Sequence, residues 1–135
     1  MYLSTEVSEF FDQRLKELAN KFRPANGKVL DADKAEEPYR KVLEESLKKL
    51  SGRVDKDFVD TEIREHVYKD SNQPNDLRIS QVIMYALDYY SRPRLMKRGY
   101  SEEEAYNLWS AYMAEGGYDK LFDEISDFDG SLKND

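Results

Sequence analysis

The spacing of apolar side chains constrains this chain more than any other feature. Apolar residues recur at intervals of three and four, as in Val7, Phe10, Phe11, Leu15 and Leu18. This interval places them on one face of an α-helix, and no segment shows the strict alternation of a half-buried β-strand. The sequence therefore predicts an all-α fold, a single compact bundle of five or six helices.

Local signals place the helix ends. A first helix is predicted over 5–22, a second over 38–51, a fourth over 76–92 and a last over 118–128. Asp55 is expected to cap a third helix that stops near Lys69. Ser101 and Glu104 form a capping box at the start of a fifth helix, which Gly116 and the following glycine end.

The fourth predicted helix is apolar nearly all round, which is typical of a helix packed by neighbours on several sides. Pro93 lies close to its end, and a proline there breaks or kinks a helix. We therefore expect a kinked central helix near Pro93, with one further turn over 93–98.

Length and composition predict a single helical domain over 1–130 and a frayed C-terminal tail over 131–135. The chain contains no cysteine, which excludes disulfides and thiolate metal sites. No apolar run approaches the roughly 18 residues that span a bilayer, and the first residues lack the features of a signal peptide. We therefore expect a cytoplasmic protein without a membrane partner.

Charge is distributed unevenly along the chain. Residues 99–135 contain ten carboxylates and two lysines, whereas a short basic cluster, Arg92, Arg94, Lys97 and Arg98, immediately precedes them. The whole chain has a net charge of −7 and a pI near 4.9. Because non-specific nucleic-acid binding depends on Lys and Arg, this composition argues against it and favours a partner with a basic surface.

Carboxylates in the last helix share one face. Asp119, Asp123 and Asp127 repeat every four residues, roughly 6 Å apart along the helix axis, and Glu115 precedes them. The electrostatic field of such a face attracts a basic protein surface over long range and raises the rate of association. We interpret the chain as a small acidic helical protein-binding module, which is to say an inhibitor, an immunity-type protein, or an adaptor or assembly factor.

The alternative interpretation starts from the tyrosines, seven of which lie between residues 85 and 118. Tyr90 and Tyr100 flank the basic cluster, so this region could belong to the protein interface or stack on the bases of a nucleic acid. In the competing structural interpretation, the tyrosines pack the fourth helix against the fifth, as expected for Tyr85, Tyr89, Tyr106 and Tyr112. A third alternative pairs the basic cluster with the acidic helix, within one chain or across a homodimer.

No motif predicts catalysis or a cofactor. His66 has Glu62 and Asp70 four residues away on either side, but the chain offers no second histidine and no cysteine to complete a metal site. The segment 127–131 has its glycine at the fourth position instead of the sixth position of a calcium loop. The segment 26–28 lacks the residues of a phosphate-binding loop and is expected to be a turn. We therefore predict a non-enzymatic protein with no metal and no cofactor.

Overall fold

The computed structural model describes residues 3–23, 30–69 and 71–133, with side chains described as far as residue 125. Within these ranges the chain is helical and contains no strand, which confirms the predicted fold class. The α-helices are α1 (Thr5–Lys21), α2 (Glu36–Ser51), α3 (Lys56–Ile63), α4 (Asn75–Lys97), α5 (Glu102–Tyr112) and α6 (Tyr118–Lys133). The turn predicted at 26–28 and Asp70 lie outside the described residues.

The bundle is organised around α4. This helix contacts α1, α2, α5 and α6, and buried side chains occur on all sides of it. Its apolar residues join those of the other α-helices in one continuous core, which includes Phe11, Leu43, Val59, Ala105 and Leu121. The apolar composition of α4 therefore reflects its central position, as the sequence predicted.

The predicted helix caps are present. The Asp55 side chain accepts a hydrogen bond from the backbone N–H of Phe58 at 3.2 Å. In α5 the Glu104 N–H donates to Ser101 Oγ at 3.1 Å, and the Ser101 N–H donates to Glu104 Oε1 at 2.9 Å. Gly52 ends α2 with a φ of 75°, a left-handed conformation that glycine adopts without strain.

Pro93 lies inside α4, and the helix continues through it to Lys97. The turn expected over 93–98 is therefore the last turn of α4. The helix is not broken at Arg92, and the kink near Pro93 stays a prediction. Gly99, with a φ of 104°, follows the helix end.

A π-helical turn over Arg64–Tyr68 extends α3. The segment Met113–Gly117 joins α5 to α6 across a kink, with non-helical backbone angles at Glu115 and at Gly116, whose φ is 117°, which agrees with a helix end at this glycine pair. A Cβ placed on Gly117 would lie 2.5 Å from Cε2 of Tyr112, so that only glycine lets the ring lie against this turn. The next helix, α6, continues to Lys133, beyond the end predicted at residue 128.

No helix within the described ranges has both the length and the apolar character that a bilayer crossing requires. This agrees with the expectation from hydropathy. The predicted domain limits at 1–130 and the frayed tail over 131–135 stay predictions.

Candidate functional site

Arg92 is the first residue of the predicted basic cluster, and its side chain points into the protein interior. Its guanidinium pairs with both carboxylate oxygens of Asp88, and Nη1 donates to Glu102 Oε1 at 3.2 Å. The ring centroids of Tyr89 and Tyr106 lie 4.9 and 5.9 Å from its Cζ. Only 13% of the Arg92 side chain is exposed, so its charge is largely neutralised inside the fold.

The rest of the basic cluster lies nearer the surface. Arg94 Cζ is 3.9 Å from the centroid of the Tyr90 ring, and its Nη1 donates to the Tyr90 carbonyl at 2.6 Å. Arg98 Cζ lies 4.7 Å from the centroid of the Phe10 ring, and Lys97 is exposed. With Arg92, all three guanidinium groups of the basic cluster therefore lie against aromatic rings of their own chain.

The tyrosines divide between the core and the surface. Tyr90 is buried and its hydroxyl donates to Glu17 at 3.1 Å, whereas Tyr100 is half-buried against the core. Tyr106 is exposed, with its ring 5.5 Å from that of Trp109. Burial therefore differs between these tyrosines: Tyr90 belongs to the core, Tyr100 packs against it, and Tyr106 lies at the surface.

The acidic face of α6 is open. Asp119 and Asp123 are exposed, and neither makes an ion pair or a hydrogen bond with another described residue. Glu115, in the kinked segment before α6, is exposed and accepts a hydrogen bond from the Leu3 N–H at 3.1 Å. The side chain of Asp127 lies beyond the described side chains. A partner could therefore contact two of the four predicted acidic residues, Asp119 and Asp123, without displacing a described residue from either carboxylate.

A groove of about 300 Å³ lies between α1 and α6. Its lining is mixed in character and comes from both helices, namely from Asp12, Leu15, Lys16, Lys120, Asp123 and Glu124. Lys120 Nζ donates to Asp12 Oδ1 at 2.8 Å, and the buried Tyr112 donates its hydroxyl to the same oxygen at 2.7 Å. The groove therefore contains an internal ion pair next to the open carboxylate of Asp123.

The electrostatics of this ion pair favour the carboxylate form of Asp12. Burial would raise the pKa of Asp12, but hydrogen bonds from Lys120 and Tyr112 more than offset it, and the pKa lies below its ordinary value. The pKa of Tyr112 is raised by burial and by donation to Asp12, which keeps the phenol protonated. An ionised Asp12 carboxylate that is oriented by the Tyr112 phenol is suited to holding a cation.

His66 lies in a second polar cluster, between α2, α3 and α4. Its Nε2 is 3.0 Å from Glu62 Oε2, and its ring stacks on Tyr85 with centroids 3.8 Å apart. Burial, followed by the charge of Glu62, raises the pKa of Tyr39, whose buried hydroxyl has no hydrogen-bond partner among the described residues. No group of three potential ligands among the described side chains is placed to hold a metal ion, and Asp70 lies outside the described residues.

Asp88 lies at the edge of this second cluster, with 4% of its side chain exposed. Burial raises its pKa to about 6, although the pairing with Arg92 opposes this effect. Two further carboxylates, Glu62 and Glu102, raise it as well. Asp88 is thus paired with Arg92, whereas the Tyr39 hydroxyl and Glu62 Oε2 of the same cluster are buried without a hydrogen-bond partner among the described residues.

Comparison with protein-family models, with curated proteins and with solved structures finds no match for this chain.

Sequence reasoning missed Asp12 and Lys120. Nothing in their local sequence connects them, because they are 108 positions apart. The pair Asp88 and Arg92, in contrast, stands at the i,i+4 spacing of a helical ion pair and could have been found from the sequence.

Proposed function

We propose that the protein is a non-enzymatic binding module that recognises the basic surface of another protein through the acidic face of α6. The observation that carries this proposal is the state of the carboxylates: Asp119 and Asp123 are exposed and have no internal partner among the described residues. Unpaired surface charges of one sign steer an oppositely charged partner and accelerate its association.

The basic cluster supports a protein partner over a nucleic acid. Arg92 is held by Asp88 and Glu102, and Arg94 lies on the ring of Tyr90. Phosphate contacts would have to compete with these internal interactions, and the affinity for nucleic acid depends on free cationic groups. Of the four cationic side chains in the cluster, Lys97 and Arg98 are exposed, which is a small footprint for phosphate binding.

The proposal is tested by reversing the charge of the acidic face. The Asp119→Lys/Asp123→Lys variant is immobilised beside the wild-type protein and exposed to lysate of the source cell at low salt, with and without nuclease. The partner is identified from the salt eluate and its association rate measured with each purified protein. We expect the reversal to slow association at low salt by about tenfold or more, because steering by complementary charge contributes factors of this order.

The matched control is Asp57→Lys/Glu103→Lys, which makes the same change of net charge at two exposed carboxylates that, like Asp119 and Asp123, form no ion pair with a described residue. An effect confined to the α6 variant supports the proposal. Equal effects of the two variants, or unchanged binding by the α6 variant, would contradict it. Retained material that disappears on nuclease treatment would instead support the nucleic-acid alternative.

A further inference from the structure

The groove between α1 and α6 contains a carboxylate whose position is fixed from inside the molecule. The Tyr112 hydroxyl, on a side chain that is 2% exposed, donates to Asp12 Oδ1 at 2.7 Å. Asp12 Oδ2 accepts no hydrogen bond from the described residues. A buried phenol thus orients an acidic group that lines an open groove, the kind of support that makes a binding group rigid.

An ammonium group already occupies this position. Lys120 Nζ lies 2.8 Å from Asp12 Oδ1 and 5.6 Å from the centroid of the Tyr112 ring. A carboxylate together with an aromatic ring is a recurrent environment for a bound cation. About half of the Lys120 side chain is exposed, so this ion pair is of the weakly stabilising surface kind and can be exchanged.

Two other carboxylates line the same groove. Asp123 and Glu124 have no ion-pair partner among the described residues, and Leu15, which is buried, contributes an apolar surface. Lys16 is the second cation of the lining, so three carboxylates stand against two ammonium groups. A guanidinium has five donors in a planar fork and can bridge carboxylates that a single ammonium cannot reach together.

We propose that this groove is the anchor site for an arginine side chain of the basic partner, and that Lys120 is an internal placeholder which the arginine displaces from Asp12. The inference rests on the proposed function and names the chemistry of its central contact. The volume of about 300 Å³ suits one long side chain.

The test uses a short alanine-based helical peptide with four arginines at i,i+4 spacing, and an otherwise identical peptide with citrulline, the neutral analogue of arginine. Affinities at low salt are measured for the wild type and for the variants Lys120→Gln, Lys16→Gln and Asp12→Asn. The two lysine variants remove the same charge from the same groove. The Asp12→Asn variant keeps a side-chain oxygen that can accept from Tyr112, and circular dichroism checks that each variant is folded.

If Lys120 is a placeholder, Lys120→Gln should bind the arginine peptide about threefold to fivefold more tightly, as expected when a competing surface ion pair is removed. Lys16→Gln should change the affinity by less, Asp12→Asn should weaken it, and the citrulline peptide should bind poorly to all four proteins. Equal gains for the two lysine variants, unchanged affinity for Asp12→Asn, or no binding to the wild type would overturn the inference.

The two proposals fail separately. If binding of the natural partner depends on Asp119 and Asp123 but not on Asp12 or Lys120, the acidic-face function holds and the anchor site is wrong. If the reversal of Asp119 and Asp123 has no effect on the natural partner, the proposed function itself is wrong.

Discussion

Asp88 shows how a single residue can make the stability of this fold depend on pH. Folding buries its carboxylate beside Arg92 and raises its pKa from 3.8 to about 6. Between these two values the folded chain holds a proton that the unfolded chain has released. Stability is therefore lost as the pH rises through this window, because the ionised carboxylate costs desolvation free energy inside the protein.

Replacing Asp88 by Asn should remove this pH dependence. The contribution of Asp88 to the free energy of unfolding should fall by about 1 kcal/mol between pH 5 and pH 7 in the wild type, since one pKa unit corresponds to about 1.4 kcal/mol. Urea unfolding at pH 5, 6 and 7 measures it for both proteins. Asp123→Asn, at an exposed carboxylate, is the control and should keep the wild-type slope. An identical pH slope in Asp88→Asn would contradict the expectation.

Gly117 has no room for a side chain. Its Cβ would lie 2.5 Å from Cε2 of Tyr112 and 2.7 Å from the Tyr112 carbonyl oxygen. We expect Gly117→Ala to lower the free energy of unfolding by about 1 to 3 kcal/mol, the usual cost of overpacking. Urea unfolding checks this value, and a stability equal to wild type would mean that the Tyr112 ring moves aside freely.

At the scale of the elements, the capping box of α5 is the clearest link between sequence and structure. Ser101 Oγ accepts the Glu104 N–H, and Glu104 returns a hydrogen bond to the Ser101 N–H. The Ser101→Ala variant loses the first of these and should be less stable by about 1 kcal/mol, as for other N-cap serines. Urea unfolding measures the loss, and Ser110→Ala, at an exposed position of the same helix, should cost clearly less. Equal costs would mean that the cap contributes nothing.

Caps and helix faces could be predicted because they depend on residues a few positions apart. Asp55 and Ser101 act within a single turn of chain, and both cap the helices that the sequence predicted them to cap. The continuation of α4 through Pro93 and the π-helical turn after α3 could not be predicted in this way. They depend on packing against neighbouring elements, and α4 contacts α1, α2, α5 and α6.

For the whole molecule, the continuous core predicts cooperative unfolding. Each α-helix from α1 to α6 contributes buried residues to one apolar cluster. Because each helix buries its apolar face against the others, we expect the helices to unfold together. In scanning calorimetry the calorimetric and van't Hoff enthalpies should therefore agree, with a single transition. A van't Hoff enthalpy well below the calorimetric value would show that the chain contains more than the one predicted domain.

The candidate site was only partly predictable at this scale. The exposure of Asp119 and Asp123 follows from the four-residue repeat in α6, whereas the approach of Asp12 to Lys120 requires α1 and α6 to be neighbours in space. The sequence likewise showed that Arg92 is charged, but not that its side chain points into the protein. Asp88 is an i,i+4 partner on the same helix, whereas the second partner, Glu102, reaches Arg92 only because α5 packs against α4.

The packing of α5 against α4 also supplies an optical reporter. Trp109, the single tryptophan, is 7% exposed and its indole Nε1 donates to the Met84 carbonyl of α4 at 3.0 Å. The centroids of the Tyr85 and Tyr106 rings lie 5.9 and 5.5 Å from that of the indole, so both rings can transfer excitation to it. Separation of the two helices would break this hydrogen bond, hydrate the indole and shift its fluorescence to longer wavelength, so the junction that holds Arg92 can be followed in solution without a label.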